Sequence, residues 1–88
     1  MGITEKDHFF MQQALSLAVK AEQHGEGPVG AVVVLNDEIV GEGWNQPISS
    51  HDPTAHAEVM ALRDAGKRLE NYRLPESTLY VTLEPCPM

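Results

Sequence analysis

The chain has 88 residues, enough for one small domain that on folding buries roughly 60 to 65% of the surface its unfolded form exposes. Thirteen acids against six bases give a net charge of −7 and a pI near 4.8, and that composition argues against a protein whose main business is gripping phosphates. With one cysteine no internal disulfide can form, no stretch approaches the roughly 18 apolar residues of a membrane span, and the acidic start MGITEKDHFF is no secretory leader, so the reading is a reduced, cytoplasmic protein.

Thr4 is placed to cap a first helix running to about Gln23, with Asp7 as the capping-box acid and Phe10, Ala14, Leu17, Ala18 and Ala21 as its apolar stripe; Gly25 ends it. Residues 29–35, VGAVVVL, form a continuous apolar, β-branched run of the kind found in a central strand covered on both faces. Asn36 and Asp37 tolerate positive φ and predict a tight turn, so residues 38–44 return as a more polar hairpin partner at or near the sheet edge. After a loop over residues 45–51, Asp52 and Pro53 predict the N-cap and first position of a second helix. Its buried stripe is expected at Val59, Leu62, Ala65 and Leu69, with Met60 and Ala61 beside them. Arg63, Lys67, Arg68 and Arg73 make the one basic cluster, which reads as a solvated helix end offsetting the negative terminus. Residues 72–75 interrupt the helix, and residues 78–83 alternate polar and apolar as a third strand. Helix, strand, strand, helix, strand is an α/β layer arrangement, with residues 29–35 in the middle of the sheet and the third strand parallel to one of the first two.

Several polar residues are not required by this scheme. Each has a purely structural reading: Glu58 in a first helical turn complements the helix dipole, Asn45 ends a strand, and Cys86 is a small buried hydrophobe. His56 and Glu58, two apart, do not share a helix face, yet a site at the helix N-terminus can use both. A lone thiol in a reducing compartment is otherwise a nucleophile or a metal ligand.

Taken together, His56-Ala57-Glu58 and, after a helix and a strand, Pro85-Cys86 match the front part of the H-x-E…P-C-x-x-C signature of zinc-dependent nucleobase deaminases. The surrounding words PVGA at 28–31, GEGWN at 41–45, HDPTAHAE at 51–58 and TLYVTLEPC at 78–86 resemble bacterial tRNA adenosine deaminases over nearly the whole chain. The resemblance implies a cytidine-deaminase-like α/β/α layer fold. This chain would be its N-terminal part, because the second cysteine of the signature falls at position 89, one past Met88. It implies one zinc ion, held by a ring nitrogen of His56 and the thiolate of Cys86, a donor set that suits a borderline-soft cation. Glu58 would stay off the metal and carry protons, Asn45 would hydrogen-bond the flipped base, and Ala57 would line the pocket through its backbone. The implied activity is hydrolytic deamination of adenosine to inosine at the tRNA wobble position, with the anticodon loop as partner and a homodimer as the working unit. With one metal ligand outside these residues, two other readings stay open. One is a non-catalytic remnant or acidic partner module, and the other is a deaminase of a free base or nucleoside such as guanine or cytosine.

Overall fold

A computed structural model describes residues 4–48, 50–71 and 73–82. Two helices and three strands follow in chain order: α1 (Glu5–Gln23), β1 (Gly30–Leu35), β2 (Glu38–Trp44), α2 (Ala57–Leu69) and β3 (Thr78–Val81). They form a three-stranded sheet in the order β2-β1-β3, with β1 antiparallel to both neighbours. β3 therefore runs in the same direction as β2 with β1 between them, as a crossover through α2 requires.

Local chemistry accounts for the first half of the chain. Thr4 accepts the Asp7 N–H at 3.1 Å while the Asp7 carboxylate accepts the Thr4 N–H at 3.0 Å, the expected capping box of α1. Phe10, Ala14, Ala18 and Ala21 are its buried residues, and Gly25 follows its C-terminus with a φ of +75°. Asn36 and Asp37 both have positive φ, 52° and 63°, and close the two-residue hairpin. Because successive side chains point to opposite faces, β1 feeds two cores. Val32 and Val34 meet Phe10 of α1, whereas Ala31 and Val33 meet Ala57, Ala61 and Ala65 of α2.

β2 carries an extra residue opposite β1, its register slipping between Val33↔Gly41 and Val34↔Ile39. This bulge turns both Val40 and Gly41 toward α2 while Ile39 packs on the α1 side. Gly41 and Gly43 then let the α2 backbone lie directly on the strand: a Cβ on Gly43 would stand 2.8 Å from the Met60 Cβ and closer still to the Ala57 carbonyl and the Ala61 nitrogen.

That close approach corrects the expected α2 stripe. The buried residues are Ala57, Ala61 and Ala65, whereas Leu62 and Leu69 are exposed and Val59 is only partly covered. Only short side chains fit under a helix seated on glycines. The start of α2 is also corrected, from Asp52-Pro53 to Ala57, with His56 at the N-cap. Asp52 caps a turn instead, its Oδ1 accepting the Thr54 N–H at 2.9 Å and the Thr54 hydroxyl at 2.7 Å. The Ala55 carbonyl is drawn away to accept the Gln46 N–H at 2.8 Å, so no helical ladder can begin before it. Lys67 and Arg68 do lie in the last turn of α2. Residue 83 of the expected third strand lies outside the described residues.

Candidate active site

Three chain segments converge at one end of the sheet, where β2 and β3 finish and β1 begins. Thr82, just past β3, is pinned to Gly30 by two bonds: its N–H donates to the Gly30 carbonyl at 3.0 Å and its hydroxyl accepts the Gly30 N–H at 3.1 Å. One residue back, the Val29 carbonyl accepts the Asn45 N–H at 3.1 Å. The Asn45 side chain, only 1% exposed, turns its Oδ1 to the Ala57 N–H at 2.8 Å. A continuous run of hydrogen bonds thus leads from the exit of β3, across β1, to the head of α2.

His56 occupies the N-cap in extended conformation, φ −80° and ψ 156°, and its carbonyl accepts the first α-helical bond, from Met60, at 2.9 Å. Its ring makes no cap hydrogen bond. Asn45 acts as the side-chain cap in its stead, which frees the imidazole for another task. Glu58 stands in the first turn, where the unpaired N–H groups favour a carboxylate. Because His56 is at the cap and not inside the helix, the face rule that separates residues two apart does not govern this pair. Ala57 between them is wholly buried among Ala61, Val33 and Val29, and its N–H is taken by Asn45, so its methyl belongs to the core.

Of the residues singled out from the sequence, Asn45, His56, Ala57 and Glu58 are brought together here, and Cys86 lies outside the described residues. Among the described residues, no three His, Cys, Asp or Glu side chains cluster as a metal would need. The buried His56 ring, not engaged in capping, suits one nitrogen ligand. Two buried polar residues, Glu26 and Thr82, were not singled out from the sequence. The flanking glycines of Glu26 were its one local signal.

The basic cluster lies elsewhere, and two of its members, Arg63 and Arg68, are paired with acids. A groove of about 460 Å³ along the β2 edge is lined by Lys20, Trp44, Arg63, Lys67 and Arg68 among others. Arg68 bonds Glu42 at 3.1 Å and Asp64 at 2.8 Å, Arg63 faces Asp52 at 3.6 Å, and Lys20 lies 4.2 Å from the centre of the Trp44 ring. These contacts are exposed and contribute little each. No helix among the described residues is long and apolar enough to cross a membrane.

The sheet with a helix on either face, and the His56-Ala57-Glu58 stretch at a helix head, are the features with which the chain meets its family. The chain belongs to the family described as the cytidine and deoxycytidylate deaminase zinc-binding region, whose profile matches residues 4–88. It is 59% identical over 86 residues to the tRNA-specific adenosine deaminase of Haemophilus influenzae, covering 97% of this chain and 50% of that protein. A solved structure of a tRNA:A34 deaminase that edits A to I at the wobble position superimposes with a TM-score of 0.86 at 43% identity, over 94% of this chain and 63% of the other. The structure of a guanine deaminase from Bacillus subtilis matches with a TM-score of 0.83 at 46% identity, over 91% of this chain and 52% of that one. The chain spans about half the length of the curated relatives it matches.

Proposed function

We propose that this chain supplies part of a zinc-dependent deaminase domain that converts adenosine to inosine at the tRNA wobble position, in the cytoplasm and as a homodimer. The observation that carries the reading is the α2 head, where Asn45 takes over the capping from His56 at the N-cap and Glu58 stands in the first turn. The 59% identity to a tRNA-specific adenosine deaminase supports the choice of substrate.

In this reading His56 and Cys86 hold the metal, with further ligation from outside these residues. Zinc, when bound, supplies an activated water nucleophile near neutral pH. Glu58 moves the protons. It accepts one as water oxygen bonds to the ring carbon bearing the amino group and passes it to the adjacent ring nitrogen; it then takes the second from the new hydroxyl, which becomes the carbonyl, and gives it to the amine, so that the carbon–nitrogen bond breaks and ammonia leaves. Water and adenosine thus balance against inosine and ammonia. In this reading Asn45, whose Oδ1 caps α2, also contacts the base.

A second reading, deamination of a free purine such as guanine, is favoured by the 46% identity to a protein named guanine deaminase. The test gives the intact, zinc-loaded protein a tRNA anticodon stem-loop in one arm and guanine, cytosine or their nucleosides in the other. Inosine in the first arm and no ammonia in the second is the expected result. The reverse pattern establishes the free-base reading, and silence in both arms establishes a non-catalytic role.

A further inference from the structure

Away from the α2 head, one carboxylate is unusually well buried. Glu26 is 6% exposed and sits in the turn between α1 and β1, flanked by Gly25 and Gly27. Its Oε1 accepts the Ile48 N–H at 3.2 Å, tying that turn to the loop that joins β2 to α2. Burying a carboxylate costs free energy unless hydrogen bonds satisfy it, so the bond marks a position that the fold holds in place. What it holds is unexpected, because Ile48 has the most exposed side chain of the large apolar residues described, at 69%.

Ile48 is no frayed tip. Its loop is closed by bonds from Ser50 N–H to the Gln46 carbonyl at 2.9 Å, from Asp52 N–H to the Pro47 carbonyl at 3.0 Å and from His51 N–H to the Ile48 carbonyl at 3.3 Å. The stems of the loop are Asn45 and His56, joined just inside by the Gln46–Ala55 bond. A buried acid therefore anchors the backbone of an exposed apolar residue, in the loop whose stems lead into the α2 head.

We propose that Glu26 is a positioning residue that holds this loop so that Ile48 presents an apolar face to a nucleotide flanking the reacting base. This rests on the nucleic-acid reading above. A base extruded for reaction leaves its neighbours unstacked, and an apolar surface fixed at the rim gives one of them a face to pack on. Removing the Glu26 acceptor frees the Ile48 amide and lets the loop depart, which weakens substrate binding without touching the reacting atoms.

The test measures kcat and KM of the intact, zinc-loaded protein on an RNA anticodon stem-loop, together with hydrogen exchange at the Ile48 amide. Glu26→Ala is expected to raise KM about 5- to 10-fold with kcat nearly unchanged, the scale of one net hydrogen bond, and to speed Ile48 exchange. Ile48→Ala should raise KM alike while exchange at residue 48 stays slow. Glu26→Gln, which keeps a carbonyl acceptor, should restore both readouts. Unchanged KM in either alanine variant overturns the proposal, as does a Glu26→Ala protein that loses kcat and global stability in step. If the wild-type protein makes no inosine yet deaminates guanine, the nucleic-acid reading falls, and unchanged Ile48 exchange in Glu26→Ala would sink the positioning role separately.

Discussion

The Asn45 amide oxygen accepts the Ala57 N–H at 2.8 Å, and this bond joins the end of β2 to the head of α2. It decides where the helix begins and leaves the His56 ring uncommitted. Asn45→Ala would strand a buried amide hydrogen and remove the cap together. Urea unfolding should show a loss of about 1–3 kcal/mol. A loss below about 0.5 kcal/mol would mean that the packing of Ala57, Ala61 and Ala65 sets the helix start unaided.

Gly43 and Gly66 should respond unequally to alanine. A Cβ at Gly43 collides with the α2 backbone at Ala57 and Ala61, and relief requires moving the helix that carries Glu58. Gly43→Ala is expected to destabilise by about 2 kcal/mol or more. At Gly66 the nearest atom is the Asn71 carbonyl oxygen at 3.3 Å, a tight contact set against the helix propensity that α2 gains, so Gly66→Ala should stay within about 1 kcal/mol of the wild type. Thermal melts of the two variants side by side check the contrast.

The Tyr80 hydroxyl of β3 donates to Asp7 of α1, and this bond lowers the Asp7 pKa below 3.8 while raising that of Tyr80 to about 12. For Asp7 the native state favours the ionised form, so its stabilisation is present above pH 3.8 and fades as pH falls through the lowered value. For Tyr80 the native state favours the neutral form, so its stabilisation holds below pH 10 and is lost as pH rises toward 12. The difference in melting temperature between wild type and Tyr80→Phe should be widest near neutrality and narrow at both extremes. A gap that does not change with pH would show that the bond does not couple the two groups.

In the proposed function Glu58 carries protons and does not bind the metal. In the intact protein Glu58→Gln should leave zinc content nearly unchanged while cutting turnover by roughly 100-fold or more. Zinc lost in step with activity would make Glu58 a ligand and overturn the assignment.

The 88-residue chain on its own offers His56 and Cys86 as the ligands of the deaminase signature, one short of the three protein ligands usual in catalytic zinc sites. Dialysed against a mild chelator it should carry well under one zinc per chain and form no inosine. A longer protein with a cysteine at position 89 and the rest of the domain should recover both. Stoichiometric zinc in the short chain would point to His51 or a second subunit as the missing donor.

Where one short stretch holds all the chemistry, the sequence alone determined the structure. The Thr4–Asp7 box starts α1, the positive-φ pair Asn36-Asp37 makes the hairpin, and an apolar run over residues 29–35 needs cover on both faces. The His56-Ala57-Glu58 and Pro85-Cys86 motif is likewise a matter of letters and spacing, of which the structure describes only the first part, at the head of α2. Three things were decided only in the tertiary structure, because each depends on a partner far along the chain. Asp52-Pro53 is a good local helix start, yet Asn45, twelve residues before Ala57, caps the helix at a later point. Leucines outrank alanines in hydrophobicity, yet the glycines of β2 bring α2 so close that only Ala57, Ala61 and Ala65 fit beneath it. Glu26, between two glycines, is held in a buried position by a bond from the Ile48 amide 22 residues on. Helix starts, buried faces and buried charges follow from distances between segments, and no periodicity within one segment encodes those.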